Sequence, residues 1–376
     1  MKPRLRSLVT ALALLPLTAL ANGEEKRLER LEAQNRELNE RLEALASMLE
    51  EEAGSPMHHS GGVIVGGYGS MKYTNLESGK KLDFHRFVLY FGKRISERVR
   101  FESELELEHA MAGASYSGAV ELEQAYLAFD LDADTTLYTG LFLIPAGIVN
   151  ETHEPTTFYS VYRPKVEKYI IPTTWWEGGA MLNRRLSGGW SVDVAVHSGL
   201  ETSAGSDYKI RSGRQRVSSA LADSLATTGR LKWTGMPGVE LAATVLRQGD
   251  ITQGQDPQAG GATLWSAHAI LQRGPFGVRA LIAEWRLDGD GPKAVGADRQ
   301  RGWYVEPALR PWEKWGFFVR YETWNNKAGD NGGEDTRQGN IGVNFWPHPD
   351  VVFKAEYQKQ SGSDDDGVLL GMGYRL

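Results

Sequence analysis

Charged side chains of both signs are concentrated in one long segment, residues 145–176, which is also rich in proline and aromatic residues. The charged candidates within it are Arg163, Lys165, Lys168, Glu151 and Glu154. When such groups are held between low-dielectric walls, each charge acts strongly on a passing ion. We therefore predict that this segment narrows a passage, and that its three basic residues attract anions. Glu167 has charged neighbours on both sides, so its position fits pairing within the segment as well as exposure to the passage.

A second set of basic residues lies on alternating segments along the chain, where they could line the wall of the same passage. These pore-lining candidates are Arg86, Arg98, Arg100, Arg184, Arg230, Lys232, Arg320 and Lys354. Acidic residues on neighbouring segments oppose them: Glu102, Glu104, Glu106, Glu108, Glu121 and Glu123. Two arrangements stay open. The basic groups could form a ladder along one wall, or the acids could face them and set up a transverse field.

Catalysis and metal binding find little support in the composition. The chain has no cysteine, which excludes thiol catalysis and disulfides. Its histidines lie on separate segments, no Gly-x-Ser-x-Gly turn accompanies them, and we predict no enzyme. The pair His58-His59 lacks further ligands for a zinc shell, and His153 is predicted to be a hydrogen-bonding loop residue. No metal or cofactor is therefore predicted.

The elements that must position these residues are strands. From residue 62 onward, sixteen segments alternate apolar with polar side chains, and tight turns alternate with longer connections rich in Gly, Asp and Ser. The final segment, 368–376, has one broad apolar face, and such a strand must pair with the first because lipid tolerates no open edge. We predict an all-β fold, a 16-stranded antiparallel transmembrane β-barrel over 62–376, with 146–176 as its constriction loop.

The two faces of the clearest segments fit that prediction. In 98–108 and 190–197, apolar residues alternate with polar residues whose charges are dense and of both signs, as suits a wet lumen. Tryptophans stand at segment ends, where an interfacial girdle would lie. They are Trp175, Trp176, Trp190, Trp233, Trp303, Trp312, Trp315, Trp324 and Trp346.

The N-terminus divides into three parts. Residues 1–21 have basic residues, an apolar run too short to span a membrane and an A-x-A site, which together predict a cleaved secretory signal peptide. Residues 22–53 carry a seam with steps of three and four, which predicts an α-helical, periplasmic coiled coil and a homo-oligomer. The seam residues are Leu28, Leu31, Asn35, Leu38, Leu42, Leu45 and Leu49. Residues 54–61 are predicted to be a linker.

Four stretches resemble the phosphate-selective porin O and P family. They are IVNETHEPTTFY at 148–159, EKYIIPTTWWEGG at 167–179, EQAYLAF at 123–129 and GLFLIP at 140–145. The resemblance is clearest over 80–200 and implies a sixteen-stranded, trimeric outer-membrane channel. Phosphate specificity would need a tight basic cluster and an arginine ladder, which the sequence does not reveal.

The function these features predict is an outer-membrane porin of a Gram-negative bacterium that lets small hydrophilic solutes diffuse passively. An anion or phosphate preference stays open, since acidic and basic candidates are both present. The formal net charge of −6 argues against nucleic acid as a partner. The alternative is a structural or tethering outer-membrane barrel whose coiled coil binds the cell wall or a periplasmic partner. A soluble secreted β-protein is a further alternative that membrane fractionation would decide.

Overall fold

The computed structural model describes residues 62–113, 115–330, 332–362 and 365–376. Within them, sixteen antiparallel strands form one closed barrel in which each strand pairs with its sequence neighbours. The strands are β1 Val63–Leu76, β2 Gly79–Ser96, β3 Val99–Glu108, β4 Val120–Asp130, β5 Thr135–Leu143, β6 Trp176–Arg185, β7 Trp190–His197, β8 Ala226–Met236, β9 Val239–Gln248, β10 Ala262–Arg273, β11 Phe276–Leu287, β12 Arg299–Trp312, β13 Trp315–Asn325, β14 Thr336–His348, β15 Val351–Gln360 and β16 Gly367–Arg375.

Strand β16 closes the barrel on β1, in a register that runs from Tyr68 opposite Arg375 to Leu76 opposite Gly367. This closure satisfies the backbone groups of both edges and leaves the barrel without an open strand. The 16-stranded antiparallel barrel predicted from the sequence is confirmed. The predicted signal peptide, coiled coil and linker lie outside the described residues and stay predictions.

Tight turns and long loops lie at opposite ends of the barrel. The β10–β11 turn consists of Gly274 and Pro275, and Gly274 adopts φ 57°, which a residue without Cβ reaches at no steric cost. The loops at the other end include 144–175 between β5 and β6, and 198–225 between β7 and β8. Helix α1 (Lys165–Tyr169) lies in the first, and helix α2 (Asp290–Ala294) follows β11. Among the described residues, no helix is long and apolar enough to cross a membrane.

Side chains of the strands alternate between a buried interior and an exposed apolar exterior. In β7, Val194 and Val196 are nearly half exposed, while Asp193 and His197 are buried. The outer face also carries close aromatic pairs beside the tight turns, such as Trp190 with Trp233 and Trp315 with Phe345. An apolar belt bordered by aromatic rings is the surface that a bilayer requires.

Four of the tryptophans predicted for the girdle lie inside instead. Trp175, Trp176, Trp324 and Trp346 are all buried. Trp175 stacks at an angle on Trp285 of β11, with 6.1 Å between ring centroids, within the loop core. Position at a strand end does not tell which face a side chain takes, because the strand period of two decides that.

Candidate functional site

The loop 144–175 folds into the barrel and packs against the inner face of its wall. Its apolar residues form one buried cluster with Phe142 at the end of β5 and with inward residues of β7 to β13 and of neighbouring loops. The loop contributes Ile144, Ala146, Ile148, Val149, Phe158, Val166, Ile170, Ile171 and Trp175. Because this cluster buries apolar surface on one side of the lumen, the open space is confined to the other side.

Asn150 closes the base of the loop. Its side-chain amide donates to the carbonyl oxygens of Ile144 and Trp175 at 2.8 and 2.9 Å, and its own oxygen accepts from the Trp175 backbone N–H at 2.7 Å. All hydrogen bonds of this fully buried amide stay within the loop. These bonds connect the first and last residues of the thirty-two-residue loop, so they restrict it to one conformation at its base.

Several predicted lumen cations hold the loop rather than face the passage. Arg230 pairs with Asp193 at 2.7 Å and forms a bidentate ion pair with Glu151 of the loop. Arg320 pairs with Glu322 and Glu306 at 3.0 and 3.2 Å. These arginines are almost fully buried. Their charges are therefore neutralised by carboxylates inside the wall.

Lys354 also binds the loop, although it reaches the lumen. Its ammonium group donates to the carbonyl oxygens of Phe158 and Ser160 at 2.6 and 3.0 Å, and it lies 3.9 Å above the Phe158 ring. The carboxylate of Glu356 accepts the backbone N–H of Val161 at 2.9 Å on the same stretch. Strand β15 thus binds the middle of the loop through one cation, Lys354, and one carboxylate, Glu356.

The space left beside the loop is a cavity of about 510 Å³ with a strongly basic lining. Ten Lys or Arg line it, against four Asp or Glu. The basic residues are Lys72, Lys81, Arg86, Arg163, Lys165, Lys168, Arg211, Arg214, Arg216 and Lys354, and the acidic residues are Glu108, Glu121, Glu123 and Asp365. The lining therefore carries an excess of positive charge although the whole chain is acidic.

Of the five residues predicted for the constriction, Arg163, Lys165 and Lys168 line this cavity. Arg163 donates to the hydroxyl of Thr174 at 2.6 Å and to the carbonyl oxygen of His153 at 3.3 Å, which leaves about three of its five N–H donors for other partners. Burial, followed by the charges of Arg211 and Lys165, lowers the pKa of Lys168 to about 8.

The two predicted acids of the constriction take other places. Glu151 is held by Arg230, and Glu154 is half-buried in a turn whose carbonyl accepts from the Thr157 backbone. The loop therefore presents its basic half to the cavity and turns its acidic half elsewhere.

Sequence reasoning missed the contribution of the loop 198–225. Arg211 donates to the carbonyl oxygens of Lys168 and Thr173 at 3.1 and 2.9 Å, and Arg214 donates to that of Thr174 at 2.6 Å. The signal was present as the basic run KIRSGRQR at 209–216, which stood out in a loop otherwise rich in small polar residues. Carbonyl groups do not cancel a full charge, so both guanidinium groups stay positive at the cavity wall.

Opposite these cations stand the acids of β3 and β4, and most of them are paired. Glu106 contacts the Arg86 Nε at 3.1 Å, and Glu121 pairs with Arg216. Among the residues that the structure describes, no carboxylate comes within 4 Å of the charged groups of Arg163, Lys165, Lys168, Arg211, Arg214 or Lys72. The basic groups therefore line one wall of the cavity and the acids of β3 and β4 the other, while the choice between a basic ladder and a transverse field stays open.

The remaining predicted pore-lining residues lie away from the cavity. Arg100 is bound to both carboxylate oxygens of Asp130, at 2.9 and 2.8 Å, near the tight-turn end. Arg98 lies in the exposed β2–β3 turn, and Lys232 lies two residues beyond Arg230 toward the tight turns. Arg184 shares the outer face, because its neighbour Asn183 points inward.

Asn183 shows which side chains of β6 point inward, because its amide donates to the buried carboxylate of Asp193 at 2.7 Å. Leu182, on the other side of it, is 38% exposed. A strand alternates faces at every residue, so Arg184 joins Leu182 outside and its guanidinium reaches the hydroxyl of Thr135 at 3.3 Å.

His153 brings the loop to the opposite wall. Its Nε2 lies 3.4 Å from Glu104 of β3 and 3.2 Å from Glu123 of β4, and its Nδ1 lies 3.0 Å from the Asn150 carbonyl oxygen. Burial alone would lower the pKa of His153, but the two carboxylates raise it to about 10. His153, predicted to be a hydrogen-bonding loop residue, thus also lies in a buried cluster of charged groups.

A closed sixteen-stranded antiparallel barrel with a loop folded into its lumen is the fold of outer-membrane porins. The structure resembles OmpF of Salmonella typhi in complex with daunomycin, with a TM-score of 0.59 and 14% identity over 84% of this chain and 98% of that one. It also resembles an anion-selective porin from Comamonas acidovorans, with a TM-score of 0.56 and 9% identity over 84% and 98%. A third likeness is to in-vitro folded OmpT of Vibrio cholerae in its trimer form, with a TM-score of 0.55 and 12% identity over 84% and 98%.

The sequence comparison identifies a family. An uncharacterized protein of Aquifex aeolicus (strain VF5) is 31% identical over an alignment of 341 residues. The match covers 81% of this chain and 77% of that protein, and the chain belongs to its family. No protein-family model matches the chain. The structural likenesses support the porin fold that the sequence resemblance implied, while membership of the phosphate-selective O and P family stays a prediction.

Proposed function

We propose that the chain is an outer-membrane porin through which small hydrophilic solutes diffuse passively, with a preference for anions. The observation that carries this proposal is the lining of the cavity, where ten basic residues face four acidic ones. Among the described residues, eight of those ten cations have no carboxylate within ion-pair distance, and only Arg86 and Arg216 are paired. An anion in this space gains attraction that a cation does not, since the protein walls screen charge poorly.

The membrane location rests on the outer surface. Inward residues are polar and outward residues are apolar and exposed along β7, β8 and β13, with Val194, Leu231 and Val319 each more than 40% exposed. A soluble protein of this fold would have to cover such a belt. The family resemblance and the outer-membrane origin of the similar structures support the outer membrane of a Gram-negative bacterium, and no enzymatic activity is proposed.

The solute class follows from the donors in the cavity. Arg163, Arg211 and Arg214 are planar guanidinium groups with unused N–H donors, and such groups suit the oxygens of carboxylates and phosphates. Small oxyanions, phosphate among them, are therefore the solutes that the lining fits best. The anion selectivity of the Comamonas porin is in keeping with this proposal.

A homotrimer is the proposed assembly. The family resemblance, the trimer form of Vibrio OmpT and the leucine seam at 28–49 support it. The coiled coil predicted at 22–53 would bring three chains together.

Purified protein in planar bilayers tests the function. Under a potassium chloride gradient, the reversal potential is expected to have the sign of a chloride-selective channel, and added phosphate should lower chloride current by competing for the lining. A cation-selective reversal potential would contradict the anion preference. A barrel that inserts but does not conduct would contradict the porin and favour the tethering barrel.

A further inference from the structure

A second kind of site lies where the loop meets β3 and β4. One imidazole nitrogen and two carboxylates converge there: His153, Glu104 and Glu123 each place one ligand atom within 4.8 Å of the others. The closest contacts join Nε2 of His153 to Oε1 of Glu104 and to Oε2 of Glu123. All three residues are at least nine-tenths buried. Glu123 and His153 also line the cavity, so the cluster can be reached from the lumen.

The contacts in this cluster do not have the geometry of hydrogen bonds. Nε2 of His153 and Oε2 of Glu123 have no hydrogen-bond partner among the described residues, although they lie only 3.2 Å apart. A charge-assisted N–H···O bond is usually about 2.7–2.9 Å long. Two ligand atoms bound to one tetrahedral zinc ion, each about 2.0–2.1 Å from it, are about 3.3 Å apart. The observed separations of 3.2 and 3.4 Å therefore fit shared coordination better than direct pairing.

The surroundings orient the ligand atoms as a metal site requires. Nδ1 of His153 lies 3.0 Å from the Asn150 carbonyl oxygen, which accepts its proton and leaves Nε2 as the ligand. The amide of Gln124 donates to Oε2 of Glu104 at 2.6 Å, so Oε1 is the free oxygen of that carboxylate. Tyr68 packs edge-on against the imidazole, and its buried hydroxyl is also without a hydrogen-bond partner among the described residues.

A second triad, on β2 and just after β3, lacks these features. Asp83, His85 and His109 also converge, but His109 Nδ1 lies at hydrogen-bonding distances of 2.9 and 3.0 Å from Asp83, and all three side chains are partly exposed. Direct hydrogen bonds already satisfy the ligand atoms of Asp83 and His109. The triad Asp83, His85 and His109 therefore serves as the control for metal binding.

We infer that His153, Glu104 and Glu123 bind a first-row divalent metal ion of the zinc class. Imidazole and carboxylate ligands suit Zn²⁺ and Co²⁺, whereas Ca²⁺ and Mg²⁺ prefer oxygen alone. A neutral imidazole, two carboxylates and the dication sum to no net charge, which suits a buried site. The ion would join the loop to β3 and β4 and so fasten the N-terminal half of the loop beside the cavity.

Metal uptake by the purified mature chain tests the site without any transport measurement. The protein is made without a histidine tag, stripped with EDTA in detergent and dialysed against Co²⁺ or Zn²⁺, and bound metal is measured by atomic emission. The wild-type chain should bind one equivalent more than Glu123→Gln or His153→Gln, with a visible Co²⁺ spectrum that both variants lose. Asp83→Asn should keep that equivalent and its spectrum.

His58 and His59 are present in every variant, so any metal they bind cancels from the difference. Folding of each variant is checked by heat-modifiable migration, and Glu104→Gln replaces a variant that fails this check. Equal uptake by the wild type and the folded triad variants would overturn the site, as would a loss confined to Asp83→Asn. Either outcome leaves the bilayer test of anion preference unaffected, so the two proposals fail separately.

Discussion

The hydroxyl of Tyr304 on β12 donates a 2.6 Å hydrogen bond to the carboxylate of Glu167 on α1, across 137 positions of the chain. The other oxygen of that carboxylate accepts the backbone N–H groups of Ile148 and Val149, at 2.9 and 2.6 Å. Burial raises the pKa of Glu167, and these three donors counteract the rise. Glu167 neither pairs with the loop's own cations nor faces the cavity, but holds both halves of the loop to the wall.

Replacing Glu167 with alanine is expected to loosen the loop without unfolding the barrel. Three buried donors would lose their acceptor, at a cost of about 1–3 kcal/mol for each one left unsatisfied. Single-channel recordings should show added noise, and protease should cut within 144–175 at the loop end. Glu154→Ala, in the half-buried part of the same loop, is the control and should behave as wild type. A quiet, protease-resistant Glu167→Ala channel would show that the carboxylate does not hold the loop.

The double substitution Arg211→Gln with Arg214→Gln is expected to reduce the preference for chloride over potassium by more than about fivefold. At an effective dielectric constant of about 20, one unit charge changes the energy of an ion roughly 16 Å away by about 1 kcal/mol, which is about fivefold, and the double variant loses two such charges. The measurement is the reversal potential in a salt gradient. Arg98→Gln with Arg184→Gln removes the same charge from a turn and from the outer face, and should change nothing. Equal shifts in both double variants would mean that overall charge, not the cavity lining, sets selectivity.

Anion preference should fall as the pH rises from 7 to 9. Lys168 has a lowered pKa of about 8, so its ammonium group is charged below that pH and loses its charge above it. Reversal potentials measured at several pH values should therefore move toward zero around pH 8. Lys168→Arg keeps its charge through this range and should remove the transition. A transition that persists in Lys168→Arg would have to come from another group.

Removal of Arg230 should lower the free energy of unfolding more than removal of its loop partner, Glu151. Arg230→Gln leaves Asp193 buried without its cation and is expected to cost about 3–5 kcal/mol in the free energy of unfolding. Glu151→Gln should cost less, because that side chain is 35% exposed and Arg230 keeps Asp193. Urea unfolding from lipid vesicles measures both.

The exposed pair Arg247 and Asp288 provides the comparison for that experiment. Its nitrogen and oxygen lie 3.0 Å apart, and both side chains are more than half exposed. Arg247→Gln should change stability by less than about 1 kcal/mol, as surface pairs usually do. A cost for Arg230→Gln no larger than this would mean that the buried pair does not hold the loop.

Deletion of residues 24–52 should leave the barrel folded and reduce assembly. Strand β1 begins at Val63 and pairs with β2 and β16, and these pairs close the barrel. Heat-modifiable migration reports the folded barrel, and chemical crosslinking reports the trimer. An unchanged trimer would show that the leucine seam is dispensable for assembly.

The strands could be predicted from the sequence because their signal is local. Side chains alternate with a period of two, and turns carry their own residues, so 262–273, 276–287 and 315–325 agree with the observed β10, β11 and β13. The closing strand β16 could be predicted for the same reason, because a terminal strand with an apolar face must pair with the first strand. The long loop was recognisable by its length and its aromatic residues.

The partners of the charged residues could not be predicted, because closure of the barrel decides them. The side chains of Arg86, Arg230, Arg320 and Lys354 all point inward. Arg230, Arg320 and Lys354 bind the loop 144–175, whereas Arg86 pairs with Glu106 on the neighbouring strand β3. Arg211 and Arg214 reach the lumen from a loop that is remote in sequence. Alternation along a strand thus determines which side chains point inward, whereas contacts between distant segments determine which of those charges are cancelled and which remain at the cavity.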